Sequence, residues 1–187
     1  GWSGCVGGGS DPQYSDGFGM TAMARMLEKP TKGLTVAMIA EDTDAARTGN
    51  ETQASAAKSM GVKVTYNEAV IPAPPATVGD VTPFVDDIMT SNKGGPPDMI
   101  ELFLAGIPAT LALQQGLRDA GFEGPIMNTQ TYDSQLAAPS DTGSVYVQFG
   151  AFETAPDVPA VQTMVDDLEA ADAPLSVLAA AGWLSAD

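Results

Sequence analysis

Short apolar runs alternate with amphipathic segments along the middle of this chain. Between Gly33 and Gln130 one unit occurs three times: an apolar run, a segment with helical periodicity, then a glycine. The three runs are LTVAMIAEDTD, VKVTYNEAVI and DMIELFLAG. This alternation predicts parallel strands joined by right-handed crossovers, with helices on both faces of the sheet. We therefore predict an α/β fold, a three-layer α/β/α sandwich around a mostly parallel, doubly wound sheet.

The same pattern predicts the individual elements. The predicted strands are Leu34–Ala40, Val62–Ile71, the run after Asp98, the run PIMNTQ and Ser144–Phe149, with Trp2–Val6 as a short strand or an extended segment. The predicted helices are Tyr14–Glu28, about Asn50–Met60, the segment capped by Asp80 or Thr82, the segment ending at Ala120, Val158–Ala171 and the start of another at Leu175–Ala186. The clearest core stripe is formed by Val81, Phe84, Val85, Ile88 and Met89. Polar loops are predicted at Gly7–Pro12 and Asp42–Gly49.

Composition limits the classes of function. The chain has 187 residues, 44% of them hydrophobic and 17% charged, which fits one folded domain. No apolar run approaches the roughly 20 residues that span a bilayer. A net charge of −16 repels phosphate backbones and disfavours nucleic acid as a partner. The acidic excess fits a solubilising surface or a salty habitat.

Several kinds of catalytic and metal site are excluded by residue type. The chain has one cysteine, Cys5, and no histidine, so it lacks a Cys–His nucleophile pair and the usual zinc ligand sets. Cys5 is interpreted as a small packing residue. The dinucleotide fingerprint, the phosphate-binding P-loop and the G-x-S-x-G elbow are also missing. We expect no enzyme activity, no cofactor and no metal.

A phospho-receiver is the remaining enzyme-like alternative on such a sheet. Glu41, Asp42 and Asp44 follow the first strand and form an acidic cluster of the type that holds Mg²⁺. A receiver also needs an acceptor aspartate at the end of the third strand. The chain has Phe103, Leu104 and Ala105 there, so this alternative is rejected.

The order of the pieces resembles a known family. The residues that carry the resemblance are MARMLEKPTKG before LTVAMIAED, then DTDAARTGNETQASAAKSMGVKV, GDVTPFVDDIMTSNKGGPPDMIELF, LRDAGFEGPIMNTQ and VYVQFGAF. From about Ser15 to Asp187 the chain resembles the second lobe of the type I periplasmic solute-binding proteins of ABC transporters. That class includes the branched-chain amino acid receptors.

The resemblance implies a function and a domain organisation. We expect residues 1–187 to form one lobe, with 1–13 near the hinge and 14–187 as the core; the first lobe and the last hinge crossing lie outside this chain. The resemblance implies an extracytoplasmic protein, periplasmic or lipid-anchored, that closes on a small organic solute between two lobes and delivers it to a membrane permease. The alternative is a ligand-sensing lobe of a receptor or regulator on the same fold.

Ligands of such sheets bind beyond the carboxyl ends of the strands, so three loops are candidates. The first supplies Asp42, Thr43 and Thr48; the family often has a tyrosine at the place of Thr48, and the alternative is an ordinary capping loop. The second supplies Ala105 and Gly106, where the family often has an aromatic residue. There the alternatives are open space for a differently shaped ligand and a plain turn.

The third loop, after the fourth strand, supplies Gln130, Tyr132 and Asp133. Amino acid receptors commonly have a glutamate here that pairs with the ligand's ammonium group, whereas this chain has Asn128–Thr131 and only Asp133 beyond. An amide, an aromatic acid or another small solute therefore fits these residues as well as an amino acid does. Tyr132 either stacks on the ligand or is a surface tyrosine.

Glu101 interrupts the third apolar run. A carboxylate in a buried strand can mark a functional site, because burial perturbs its ionisation. We instead expect Glu101 to mark an edge of the sheet or a solvated rim.

Overall fold

The computed structural model describes residues 17–128, 144–146 and 159–173. The strands are β1 (Thr35–Glu41), β2 (Lys63–Ile71), β3 (Met99–Phe103), β4 (Ile126–Asn128) and β5 (Ser144–Tyr146). The helices are α1 (Gly17–Met26), α2 (Asp44–Ser59), α3 (Thr82–Thr90), α4 (Ile107–Asp119) and α5 (Pro159–Ala170). Cys5, the segments Trp2–Val6 and Gly7–Pro12, and the helix predicted at Leu175–Ala186 lie outside these residues.

The five strands form one sheet in the order β2-β1-β3-β4-β5, and every neighbouring pair is parallel. The chain winds outward from β1 to β2, returns past β1 to β3, and then winds to the other side. This is a doubly wound sheet, as predicted, and its strand order reverses between β1 and β3. In open α/β sheets a reversal of this kind places a ligand crevice at the carboxyl ends of the two strands, here β1 and β3.

One face of the sheet is covered by α3 and α4. Leu102, Leu104 and Leu113 are completely buried in its core, and the predicted stripe of α3 packs there through Val85 and Ile88. The other face is covered by α1 and α2 and contains many methionines: Met20, Met23, Met38, Met99 and Met127. Both faces are therefore sealed by helices, which confirms the predicted three-layer α/β/α architecture.

Glu101 does not lie at an edge. It is 0% exposed in β3, and its register partners are Met38 on β1 and Met127 on β4. The prediction of an edge or rim position was wrong because β3 is the central strand of five, with helices over both faces. A single strand's pattern does not report which strands flank it.

The loop predicted at Asp42–Gly49 is also shorter than expected. Helix α2 begins at Asp44, and Thr43 caps it by accepting a hydrogen bond from the Ala46 amide at 3.1 Å. The sequence concealed this first turn because its only buried side chain is the small Ala46, which leaves no apolar stripe. Thr48 consequently lies within the helix.

The amino ends of β1 and β3 are fastened together by Asp98. Its Oδ2 accepts hydrogen bonds from the Thr35 amide at 2.9 Å and the Thr35 hydroxyl at 2.7 Å, and Lys29 Nζ lies 3.6 Å from Oδ1. Partial burial opposes ionisation, but the Thr35 hydrogen bonds and the Lys29 charge outweigh it and hold the pKa of Asp98 below its ordinary value of 3.8. This contact is on the edge opposite the crevice and serves the fold.

We expect Asp98→Asn to lower the free energy of unfolding by about 1–2 kcal/mol at neutral pH, because it removes a charged acceptor. A lowered pKa in the folded state stabilises the protein above the unfolded pKa, and that contribution is lost as pH falls through the folded value. Urea unfolding should therefore separate the two proteins near pH 7, and the difference should shrink as the pH is lowered below 3.8. Asp86→Asn, an exposed acid on α3, is the control and should change little at either pH. An equal difference at both pH values would contradict this assignment.

Among the described residues, no helix combines the length and hydropathy needed to cross a membrane.

Candidate functional site

The candidate site lies at the crevice between the carboxyl ends of β1 and β3. Ala40 pairs with Phe103 at the end of the shared ladder, so the residues that follow the two strands are brought side by side. These are Glu41–Thr43 on one strand and Leu104–Gly106 on the other. Two of the three predicted ligand loops, which are far apart in sequence, therefore meet.

Glu41 connects these two loops directly. Its Oε1 accepts hydrogen bonds from the Ala105 amide at 2.9 Å and the Gly106 amide at 2.8 Å. Glu41 is only 6% exposed, and Gly106 is the residue that caps α4. The partial positive charge at the start of α4 is thus met by a carboxylate from within the chain. We refer to this arrangement of Glu41, Ala105 and Gly106 as the Glu41 clamp.

The loop after β2 supplies a third wall. The ring of Pro74 lies so close to Gly106 that a Cβ added there would be 3.3 Å from Pro74 Cγ and 3.4 Å from Glu41 Oε1. A side chain at position 106 would therefore fit only if the Pro74 ring gave way by a few tenths of an ångström, so the close packing of this turn favours glycine. Thr110 holds the other side of the turn, because its amide and hydroxyl both donate to the Gly106 carbonyl.

The predicted residues of the first loop have partners within the chain. Asp42 and Arg47 form an exposed ion pair at 2.6 Å, and the Thr43 hydroxyl caps α2. Thr48 is exposed on α2 and donates from its hydroxyl to the Asp44 carbonyl. Asp42 and Thr43 border the crevice because they directly follow β1. Thr43 has the helix-capping role that was the alternative to ligand contact for this loop.

The second loop presents Ala105 as an exposed residue and Gly106 as a buried one. Asn128, the last residue of β4, is 1% exposed, and its Nδ2 donates a hydrogen bond to the Thr110 hydroxyl oxygen at 3.4 Å. This contact fastens the end of β4 to the first turn of α4. Gln130, Tyr132 and Asp133 follow Asn128 but fall beyond the described part of the chain, so their places in the site stay predictions.

Two of the residues at this crevice were not singled out as ligand contacts from sequence. The sequence pattern indicates Glu41 only as part of an acidic cluster of the type that holds Mg²⁺, and it assigns no role to Pro74. The available signal for Glu41 was a charged residue directly after an unbroken apolar run, at the carboxyl end of a central strand. In the parts of the chain that the structure covers, no group of three acidic or cysteine side chains is arranged to hold a metal ion.

A family model described as periplasmic binding protein matches residues 10–187, almost the whole chain. The chain belongs to the periplasmic binding protein family. This agrees with the resemblance inferred from the order of its elements. No curated protein matches the sequence.

Solved structures show the same fold in this family. A Leu-, Ile-, Val-, Thr- and Ala-binding protein from Brucella ovis in its closed conformation aligns with a TM-score of 0.64 at 15% identity, over 88% of this chain and 41% of that one. A branched-chain amino acid ABC transporter protein from Thermus thermophilus with bound valine gives 0.62 at 14% identity, over 88% and 41%. An extracellular ligand-binding receptor from Rhodopseudomonas palustris HaA2 gives 0.54 at 26% identity, over 75% and 37%. This periplasmic binding protein chain spans less than half the length of each of these relatives.

Proposed function

We propose that this periplasmic binding protein chain is part of the extracytoplasmic solute-binding component of an ABC transporter. In this proposal it binds a small organic solute, an amino acid or a related compound, between two lobes that close around it, and delivers it to a membrane permease. The protein acts in the periplasm or anchored by lipid to the outer face of the cytoplasmic membrane, and it does not alter its solute chemically.

The observation that carries the proposal is the meeting of the predicted ligand loops at the point where the strand order reverses. Ligands of open α/β sheets bind in this crevice, and the Glu41 clamp holds its two walls in a fixed relation. The family and the names of the aligned relatives, which include a valine-bound transporter protein, support a solute of amino acid size.

Thermal unfolding of the full-length protein, with its first lobe present, tests this proposal. The panel of solutes should include branched-chain amino acids, their amides and small aromatic acids. A true ligand at about 100 times its Kd stabilises the folded state by about 2.7 kcal/mol and raises the midpoint accordingly. The solute should be recovered unchanged by mass spectrometry. A panel without any stabilising solute would contradict the proposal, and a chemically altered solute would indicate an enzyme.

A pair of tryptophan substitutions at the two ends of α4 locates the site. Ala105 is the exposed residue of the Glu41 clamp, whose backbone amide the substitution keeps, and Ala120 is exposed at the far end of the helix. We expect Ala105→Trp to remove the ligand-induced rise in midpoint by filling the crevice, and Ala120→Trp to preserve it. Equal ligand responses in the two variants would place the ligand elsewhere.

A further inference from the structure

In the described part of the chain, Glu41 is the one buried carboxylate at the point where the strand order reverses. It is the last residue of β1 and 6% exposed, and its backbone is fixed by pairing with Ile71 of β2. Its side chain reaches across the sheet to the loop after β3, 64 and 65 residues away in sequence. This position is within the proposed ligand crevice.

The two oxygens of this carboxylate are in different environments. Oε1 accepts both backbone hydrogen bonds of the Glu41 clamp. Oε2 receives no hydrogen bond from the residues that the structure describes, and Glu41 retains a small exposed fraction of 6%. The Glu41 clamp uses only Oε1 as an acceptor, so the lone pairs of Oε2 remain available to another donor. The side chain is therefore held in one orientation with an acceptor open at the crevice.

The charges next to Glu41 favour a cationic donor. Asp42 follows it directly and is paired with Arg47 at 2.6 Å, so that pair adds little net charge, and Asp44 lies three residues beyond Glu41. The start of α4 contributes only a partial positive charge. A ligand carboxylate would meet like charges here, whereas an ammonium group would gain a charge-assisted hydrogen bond.

We propose that Glu41 is a ligand-binding, specificity-determining residue whose Oε2 accepts a hydrogen bond from an ammonium group of the solute. The proposal rests on the proposed function and narrows its solutes to compounds that carry a cationic nitrogen. The Ala105 and Gly106 amides position the carboxylate without contacting that nitrogen. Preorganisation of this kind saves the cost of ordering the side chain when the solute binds.

Calorimetry on the full-length protein with matched probes tests this assignment. One pair is L-leucine and 4-methylpentanoate, and the other is 3-methylbutylamine and 3-methylbutan-1-ol; in each, only the first member has an ammonium group. We expect the ammonium member to bind at least about tenfold more tightly, and Glu41→Gln to weaken it by about 30-fold or more. Glutamine retains an Oε1 that accepts both amides, so the clamp and the fold persist. The amine-free probes should change by less than about threefold.

Glu51→Gln is the matched control, because it removes the same charge from an exposed position on α2. Its affinities should equal those of the unaltered protein. An ammonium probe that binds Glu41→Gln as well as it binds the unaltered protein would overturn the proposal. So would a folded protein that binds neither ammonium probe. If amine-free solutes still raise the unfolding midpoint in that case, the solute-binding function stands and only the role of Glu41 falls.

Discussion

Leu102→Ala should lower the free energy of unfolding by about 2–5 kcal/mol, the largest effect that we expect from a single side chain here. Leu102 is completely buried in the central strand β3, in the core between the sheet and α3 and α4. Truncation removes apolar contacts and leaves a cavity. Because β3 is paired with a strand on each side, the surrounding structure cannot relax enough to fill that cavity. Urea denaturation with unchanged slope would measure the loss.

The matched control for this prediction is Leu111→Ala on α4, where the leucine is only half-buried. The same atoms are deleted, so the difference between the two variants reports mainly burial and packing, with a smaller contribution from the strand and helix propensities of alanine. We expect the Leu111 variant to lose less than half as much stability. Similar losses at the two positions would contradict the described packing of the central strand.

Gly49→Ala should destabilise the protein by about 2–3 kcal/mol through overpacking, although alanine in a helix usually gains about 1 kcal/mol over glycine. A Cβ at Gly49 would overlap the Phe103 ring, with Cε1 at 2.7 Å. Phe103 is 6% exposed at the end of β3 and is enclosed by Ala40, Ala46 and Ala69. The ring has little room to move, so α2 itself must shift to relieve the overlap.

Thermal unfolding of this variant should be compared with that of Gly79→Ala. Gly79 has open space around its Cβ position and no positive φ, so its substitution should be nearly neutral. Stabilisation by Gly49→Ala, as helix propensity alone predicts, would show that α2 does not rest on Phe103. Because α2 begins next to the Glu41 clamp, we also expect the Gly49 variant to bind solute more weakly in the full-length protein.

Much of the fold could be predicted from local pattern. The stripe of α3 and the apolar runs of β1 and β3 were identified correctly because burial imposes a periodicity that single segments display. The start of α2 was missed because its first turn buries only Ala46. The burial of Glu101 was missed because a strand's own residues do not tell which strands flank it.

The candidate site was predicted in part. The rule that ligands bind beyond the carboxyl ends of strands identified the loops after β1 and β3, and the structure places them side by side. The same reasoning looked for an acid after β4 to pair with an ammonium group, at Asn128–Thr131, and found none. The acid that the further inference assigns to this task, Glu41, ends a different strand.

The sequence by itself determined the type and order of the elements, the parallel sheet and the family, because hydrophobic periodicity and the order of motifs are carried by the chain alone. Only the tertiary structure decided which loops meet, that Glu41 Oε1 binds the Ala105 and Gly106 amides, and that Phe103 requires glycine at position 49. The physical reason is range. Periodicity acts over a few residues, whereas these contacts join positions more than 50 residues apart and exist only once the strand order is set.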